Sequence, residues 1–300
     1  MLSIITPVYN GEKFISIYSN AIKSQKLGKD QYEIILVDNG STDASYSILI
    51  EQFGECKHVT IVQFTKKQSS YAARNYGVEL SRGNILVFTD IDCVPSNDWL
   101  TMAYTLSLHK GQNVILSGRI VQSIKNNENV FELYDSIYFL NQEKKSVNNE
   151  GVTANLIVPR GVFIDVEGFK EFTSGADSLF CNHAVEKGYD LVYSPELIVG
   201  HPCRSSYCEI KDKSNRIAFG IAETIIETKG NTTYSFFYNL IGSVLNLHQI
   251  KTIFTYIKKN GFLKILTIQF IFTSIYFGMY TRLNISKNIF IFWVKKSINF

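Results

Sequence analysis

The first third of the chain alternates short apolar runs with segments of helical periodicity, and this alternation restricts the fold more than any other feature. Apolar runs at residues 2–7, 33–37, 59–64 and 85–89 are typical of buried strands. Single helices joined by short loops would connect them, which gives right-handed crossovers and a parallel sheet. Ligands of such sheets bind outside the carboxyl ends of the strands. We therefore expect the functional residues to follow these strands.

Polar residues stand directly after three of the predicted strands. Pro7–Asn10 follows the first strand, Asp38–Asp43 the second, and Asp90 and Asp92 the fourth. Taken alone, the last pair is better explained as an Asx-rich loop whose side chains satisfy backbone amides. Ionised carboxylates are costly to bury unpaired, however, and two at one strand end can share a hard divalent cation. The convergence of three polar strand ends on one edge favours this second interpretation.

Several classes of protein are disfavoured by motif and composition. No Gly-x-Gly-x-x-Gly follows the first strand and no Gly-Lys-Ser/Thr loop occurs, which argues against a dinucleotide-binding dehydrogenase or a P-loop kinase. The five cysteines are irregularly spaced, which favours reduced thiols in a cytosolic setting. Because site-like residues begin within the first predicted strand, we expect no signal peptide.

The end of the chain differs in charge from the rest. Beyond Glu227 there are nine basic residues and no acidic ones, whereas residues 1–227 have a formal charge of −6. Residues 261–280 are apolar over the ~20 residues needed to cross a bilayer, but lysines on both flanks argue against a simple single crossing. We expect monotopic attachment to the cytoplasmic face of a membrane. Membrane-inserted helices are one alternative, and a hydrophobic helical pair packed on the enzyme or on a second subunit is another. No compact basic patch indicates binding of nucleic acid.

Four segments in order resemble family-2 glycosyltransferases of the GT-A fold. They are SIITPVYN at 3–10, EIILVDNGSTD at 33–43, AARNYGVELSRGNILVFTDID at 72–92, and an acceptor-side block at 174–203. The resemblance implies an α/β fold with a Rossmann-like mixed, mostly parallel sheet flanked by helices and followed by a hydrophobic helical tail.

The same resemblance implies a division of the chain. A catalytic domain would cover residues 1–205, with a nucleotide-sugar-binding half at 1–110 and an acceptor-side half at 111–205. Residues 206–300 would form a helical, basic, membrane-associating extension.

Family members hold the donor nucleotide with the first loop and an Asp after the second strand, which implies donor-binding roles for Pro7, Tyr9 and Asp38. An aromatic ring can stack on a base, and a carboxylate can accept hydrogen bonds from a base or ribose. Arg74 falls where the family has an arginine near the nucleotide, and it could pair with Asp38 or with the diphosphate. An exposed helix arginine is the alternative. Asp90 is also assigned to donor binding.

The resemblance makes Asp90 and Asp92 metal ligands, with His201 as a further candidate. Mn²⁺ or Mg²⁺ accepts oxygen ligands and would join the carboxylates to the sugar diphosphate. The ion would neutralise charge on the leaving nucleoside diphosphate. For His201, an ordinary loop histidine is the alternative interpretation.

Asp177 is the candidate catalytic base. An inverting transfer needs one carboxylate to take the proton of the acceptor hydroxyl. The family usually has two adjacent acids here, and in this chain Ala176 replaces the first. Asp is also common at helix starts, so capping is the structural alternative for Asp177.

The resulting prediction is a metal-dependent inverting hexosyl- or N-acetylhexosaminyltransferase. Its donor would be a nucleotide-diphosphate sugar, a UDP-sugar by preference. Its acceptor would be a saccharide or lipid-linked saccharide in the synthesis of surface polysaccharide or glycolipid. A sugar-nucleotide-forming nucleotidyltransferase is one alternative, although residues 8–14 lack the Gly-rich basic loop it needs. A non-catalytic sugar-nucleotide-binding subunit is the other, favoured by Ala176.

Overall fold

The computed structural model describes residues 1–126 and 128–229, which divide into two units. The first unit consists of Met1–Ser123, Tyr138–Phe172 and Ala176–Pro202. The second contains Ile124–Ile137, Thr173–Gly175 and the residues from Cys203 onward.

Strands and helices alternate through the first half of the chain, as predicted. The strands are β1 (Leu2–Val8), β2 (Tyr32–Asp38), β3 (Val59–Gln63), β4 (Ile85–Phe88), β5 (Val94–Pro95), β6 (Val114–Ser123), β7 (Leu156–Pro159) and β8 (Asp190–Pro202). The helices are α1 (Glu12–Lys23), α2 (Ser45–Phe53), α3 (Ser70–Leu80), α4 (Trp99–Lys110), α5 (Val130–Tyr138), α6 (Gln142–Val147), α7 (Arg160–Asp165), α8 (Ala176–Glu186) and α9 (Tyr207–Lys229).

All eight strands form one sheet in the first unit, in the order β3-β2-β1-β4-β7-β6-β8-β5. The β1–β2, β1–β4, β2–β3 and β6–β8 pairs are parallel, and the β4–β7, β6–β7 and β5–β8 pairs are antiparallel. The predicted mixed, mostly parallel α/β sheet is therefore confirmed.

Both faces of the sheet are covered. Ile4 and Ile34 belong to one buried cluster, whereas their neighbours Ile5 and Ile35 belong to the other. Because successive strand residues point to opposite faces, a strand that is buried on both sides must be mostly apolar. This burial explains the apolar runs of β1 and β2, and the polar side chains buried within them, Ser3, Thr6 and Glu33, are hydrogen-bonded.

The last strand differs from its prediction. The apolar residues 191–193 predict a short strand, and Pro195 predicts a loop that leads to His201, but β8 is continuous from Asp190 to Pro202. Its pairing with β6 skips from Gly118–Ser194 to Arg119–Ile198, so the residues between bulge out. Pro195 has no amide to donate and is tolerated within such a bulge. His201 consequently lies on a strand and not in a loop.

Asn155 stabilises the bulge in β8. Its side-chain amide donates to the carbonyls of Arg119 (3.0 Å) and Leu197 (2.9 Å), and its Oδ1 accepts from Trp99 Nε1 (3.0 Å). These bonds satisfy backbone groups that a regular ladder would otherwise pair. Gly118 is required beside it, because a Cβ there would overlap the Asn155 amide.

Helix α3 lies unusually close to the sheet. A Cβ at Gly77 would stand 2.7 Å from Ile5 Cγ2 and 3.2 Å from Val37 Cγ2. Glycine therefore lets the helix backbone approach β1 and β2 without steric overlap. The close approach of the helix buries Arg74, about one turn before Gly77, and Tyr71, about two turns before it.

The second unit, by itself, contains α5 and α9. The carboxylate of Asp135 is fully buried and accepts from the backbone amide of Arg204 (3.1 Å) and from its Nη1 (3.2 Å). Within the described ranges no helix has the length and apolar character needed to span a bilayer. The hydrophobic segments predicted beyond residue 229 lie outside the described residues.

Candidate active site

Three polar strand ends meet at one edge of the sheet. Val8 at the end of β1 is in register with Asp38 at the end of β2. Phe88 at the end of β4 pairs with Ile5 of β1, which brings Asp90 to the same edge. The arrangement follows from the parallel pairing of these strands.

The loops after β1 and β2 are joined by reciprocal hydrogen bonds. Asn10 Oδ1 accepts from the Thr42 amide (2.8 Å), and the Gly11 amide donates to Ser45 Oγ (2.8 Å). The sequence offers Ser41 or Thr42, and also Asp43, to cap the next helix, and it is Asp43 Oδ1 that accepts from the Ser45 amide (3.0 Å). These bonds keep the two loops that carry Tyr9 and Asp38 in a fixed relation.

The predicted nucleotide-binding residues occupy this edge. Pro7 lies within β1, and the Tyr9 side chain just beyond it is half exposed. Asp38 is fully buried; its Oδ2 lies 3.5 Å from Gln63 Nε2, and its Oδ1 has no hydrogen-bond partner. A buried carboxylate oxygen without a partner is costly, by about 1–3 kcal/mol or more. A hydrogen-bond donor from a bound ligand would remove this cost.

Arg74 pairs with Asp90, whereas the sequence analysis considered Asp38 or the diphosphate as its partner. Its guanidinium forms an ion pair with Asp90 Oδ1, and its side chain is only 4% exposed. The alternative of an exposed helix arginine is therefore wrong, and so is direct pairing with Asp38. Its Nε has no partner within the protein. Arg74 thus joins helix α3 to the carboxylate pair.

Asp92 and His201 form the other part of the candidate metal site. His201 Nε2 lies 3.4 Å from Asp92 Oδ2, and Asp92 Oδ1 is buried without a hydrogen-bond partner. His201 Nδ1 lies 2.8 Å from the carbonyl of Pro202, which can only accept, so Nδ1 carries the proton. With the proton on Nδ1, an uncharged ring would offer the lone pair of Nε2 to a metal.

Cys93 lies beside the two carboxylates but suits the metal poorly. Its Sγ and oxygens of Asp90 and Asp92 are within 4.8 Å of one another. Burial, followed by the nearby charges of Asp92 and Asp90, raises the pKa of the Cys93 thiol well above its ordinary value. A protonated thiol is a weak ligand, whereas carboxylate and imidazole fit Mn²⁺ or Mg²⁺. The residues present therefore fit a hard divalent ion held by Asp90, Asp92 and His201.

Asp177 lies in the first turn of α8 and is 7% exposed. Its Oδ1 accepts from Tyr71 Oη (2.9 Å) and from the Ser178 amide (3.0 Å). Its Oδ2 accepts from the amide (3.1 Å) and hydroxyl (3.4 Å) of Thr153. The side chain bonds well beyond its own helix, so local capping does not account for its environment.

Two of these contacts were missed by sequence analysis. Tyr71 stands three residues before Arg74, and residues at this spacing share a helix face, which could have indicated it. Thr153 has no such signal: it opens the apolar run at 153–158, which predicts a strand, but Thr153–Asn155 forms a single 3₁₀ turn. The contact between Tyr71 and Asp177 joins residues that are 106 positions apart.

Comparison with known proteins agrees with this architecture. The sequence model described as "Glycosyl transferase family 2" matches residues 3–166. The protein named glycosyltransferase AglE of Haloferax volcanii is 35% identical over 222 residues, covering 73% of this chain and 72% of the relative.

Two solved structures share the fold. A mannosyltransferase from Pyrobaculum calidifontis, in complex with GDP-Man and Mn²⁺, superposes with a TM-score of 0.61 at 18% identity and covers 94% of this chain and 83% of its own. TarS residues 1–349 of S. aureus, in complex with UDP-GlcNAc, superpose with a TM-score of 0.55 at 20% identity and cover 76% and 67%. Both identities are low, so these two comparisons bear on the fold.

Proposed function

This chain belongs to glycosyl transferase family 2 and is a glycosyltransferase, and we propose that it transfers a sugar from a nucleotide-diphosphate donor to a hydroxyl acceptor with inversion. One observation carries the proposal. A continuous series of contacts runs from the carboxylate Asp90 through Arg74 and Tyr71 to Asp177. A donor held at the sheet edge would thus be close to a carboxylate that can receive a proton.

Donor binding is assigned to the residues at the strand ends. The half-exposed Tyr9 ring can stack on a base, and the unpartnered Asp38 Oδ1 can accept a hydrogen bond from the base or ribose. Arg74 can donate to the diphosphate from its free Nε. The two similar structures hold UDP-GlcNAc and GDP-Man, both nucleotide-diphosphate sugars. We take a UDP-sugar as the donor.

Asp90, Asp92 and His201 would hold Mn²⁺ or Mg²⁺, which supplies Lewis-acid neutralisation of the diphosphate when bound. The protein groups supply the remaining chemistry. The acceptor oxygen attacks the anomeric carbon, the bond to the diphosphate oxygen breaks, and Asp177 takes the acceptor proton. The longest of the hydrogen bonds to Asp177, from the Thr153 hydroxyl at 3.4 Å, is the one an acceptor hydroxyl would replace.

Metal removal tests this proposal directly. With UDP-glucose, UDP-GlcNAc and GDP-mannose as donors, we expect the full chain to release nucleoside diphosphate in Mn²⁺. EDTA should lower that rate by at least about 100-fold, because several kcal/mol of charge stabilisation are lost, and added Mn²⁺ should restore it. Turnover that persists in EDTA, or no turnover of any of the three donors in Mn²⁺, would contradict the proposal.

The acceptor and the location are proposed from the basic, aromatic end of the chain. A lipid-linked or surface saccharide as acceptor and monotopic attachment at the cytoplasmic face would suit this segment. The full chain should sediment with vesicles that contain anionic phospholipid and not with zwitterionic vesicles. Changing Lys295 and Lys296 to Gln should weaken binding about fivefold for each lysine, whereas Lys26→Gln on the exposed surface of the catalytic unit should have no effect. Equal binding to both kinds of vesicle would refute attachment by charge.

The two alternative functions are not favoured by any contact in the site. A nucleotidyltransferase would need a basic Gly-rich loop after β1. The loop that follows β1 in this chain is instead hydrogen-bonded to the loop after β2 through Asn10 and Gly11. Ala176, the feature that favoured a non-catalytic subunit, is fully buried within the core cluster. Asp177 beside it retains a full set of hydrogen bonds.

A further inference from the structure

Tyr71, in the first turn of α3, contacts both parts of the site. Its hydroxyl donates to Asp177 Oδ1 at 2.9 Å, and its side chain is almost wholly buried. The guanidinium carbon of Arg74 lies 5.4 Å from the centre of the Tyr71 ring, and Arg74 pairs with Asp90. The first turns of α3 therefore contact both Asp90 on the proposed donor side and Asp177, the proposed base.

Other contacts hold this end of α3 in place without the Tyr71 hydroxyl. Ser69 Oγ accepts from the Ala72 amide (3.4 Å) and donates to the carbonyl of Phe172 (3.2 Å). Asn75 bonds the carbonyl (2.8 Å) and the amide (3.1 Å) of Phe169. The Tyr71 ring also packs on Phe169 at 5.7 Å between centres. Removal of the hydroxyl should therefore leave the helix and the ring where they are.

The orientation of Asp177 depends on donors from several elements. Thr153 and the Ser178 amide contact the carboxylate from the 3₁₀ turn and from α8 itself. Tyr71 contributes the contact from α3, with a phenolic O–H to a carboxylate at 2.9 Å. Hydrogen bonds to a charged acceptor are about twice as strong as neutral ones, so this contact constrains the carboxylate firmly.

We propose that Tyr71 is a positioning residue for the transfer reaction. Its hydroxyl fixes Asp177 Oδ1, and its ring packs against the Arg74 guanidinium, which pairs with Asp90 on the proposed donor side. The distance and angle between the base and the donor are thereby set by one helical turn. This inference rests on the proposed role of Asp177 as base. Displacement of a reacting group by as little as about 1 Å can cost about 100-fold in rate.

The test is Tyr71→Phe in the full chain, assayed by Mn²⁺-dependent nucleoside diphosphate release from whichever of UDP-glucose, UDP-GlcNAc and GDP-mannose the wild type hydrolyses fastest. Water serves as acceptor in this assay and must also lose a proton. We expect kcat to fall about 10- to 100-fold while KM for the donor changes less than about twofold, because donor contacts are untouched. Binding of the nucleoside diphosphate with Mn²⁺ and the melting temperature should stay at wild-type values.

Two control variants distinguish a positioning role of the Tyr71 hydroxyl from a general effect of substitution in α3 or beside Asp177. Tyr76→Phe alters the same helix at a ring that packs on Phe64, and it should leave kcat unchanged. Thr153→Val removes the weaker 3.4 Å contact to the other oxygen of Asp177 and should lower kcat less than about threefold. Parallel loss of kcat and donor binding in Tyr71→Phe would indicate a purely structural role and overturn the inference.

The outcomes also separate this inference from the function on which it rests. If the wild type is active, Asp177→Asn is inactive and Tyr71→Phe keeps the wild-type kcat, only the role of Tyr71 is overturned. If Asp177→Asn keeps the wild-type kcat, the base assignment fails and the positioning role fails with it. A fall in kcat for Tyr71→Phe, with unchanged KM and unchanged binding of the donor nucleotide, supports the positioning role of Tyr71.

Discussion

Replacement of Asp177 by Asn is expected to lower transfer about 10²- to 10⁴-fold, the range that a positioned general base contributes. Donor binding should persist, because Asp177 contacts neither Asp38 nor the carboxylate pair in the hydrogen bonds it forms. The measurements are kcat in Mn²⁺ and the affinity for UDP and GDP by calorimetry.

Asn at this position also has a structural cost that must be separated from the catalytic one. Both oxygens of Asp177 accept from donors, so the amide NH₂ of Asn would face either Tyr71 and Ser178 or Thr153. One donor loses its acceptor, at a cost of about 1–3 kcal/mol of stability. The melting temperature of the variant should therefore be recorded beside its activity.

A matched control is available for this substitution. Asp165 is an exposed carboxylate that pairs with Lys187 at 3.1 Å, so Asp165→Asn makes the same chemical change away from the site. It should keep wild-type kcat. A folded Asp177→Asn protein with undiminished turnover would remove the base assignment.

Replacement of Asp92 by Ala is expected to abolish the effect of Mn²⁺ on nucleotide binding. In the wild type, Mn²⁺ should strengthen binding of UDP or GDP, because the ion would join the carboxylates to the diphosphate. Loss of groups that merely orient metal ligands costs about 10- to 100-fold in metal affinity or activity. Loss of a charged ligand should cost at least about 100-fold.

Calorimetry with UDP and with GDP, each with and without Mn²⁺, measures this effect. Asp98→Ala is the control, because Asp98 is about half exposed, pairs with Lys26 at the surface and lies six positions along the chain. His201→Ala should give a smaller loss than Asp92→Ala, since the neutral ring contributes no charge. Stimulation by Mn²⁺ in Asp92→Ala equal to that of the wild type would exclude Asp92 as a ligand.

The position of the site was predictable because it follows from local patterns. Continuous apolar runs identified β1, β2 and β4, and polar residues just after each run placed Tyr9, Asp38 and Asp90 at a common edge. Parallel pairing then brought them together. The helix that carries Arg74 was also predicted, from Ser69 to Leu80, and Ser69 is its N-cap.

The parts that sequence analysis described wrongly depend on contacts between distant residues. The segment from Pro195 to His201 was expected to be a loop, because proline usually ends a strand, yet pairing with β6 extends β8 through a bulge. The polar composition of residues 144–149 predicts a loop, but α6 runs from Gln142 to Val147, and Gln142 Nε2 donates to the carbonyls of Val152 (3.1 Å) and Asn155 (3.0 Å). In both cases the neighbouring chain outweighed local propensity.

By itself the sequence determined the alternation of strands and helices in the first half of the chain, the sheet edge that carries the site, and the carboxylates Asp90 and Asp92 at that edge, because hydrophobic periodicity and strand ends are local properties of the chain. Only the tertiary structure decided which side chains meet there. The ion pair of Arg74 with Asp90, the approach of His201 to Asp92 and the bond from Tyr71 to Asp177 arise from the packing of α3 and α8 on the sheet and from the pairing of β8 with β5. These partners lie 16, 109 and 106 positions apart, and no local pattern encodes such pairings.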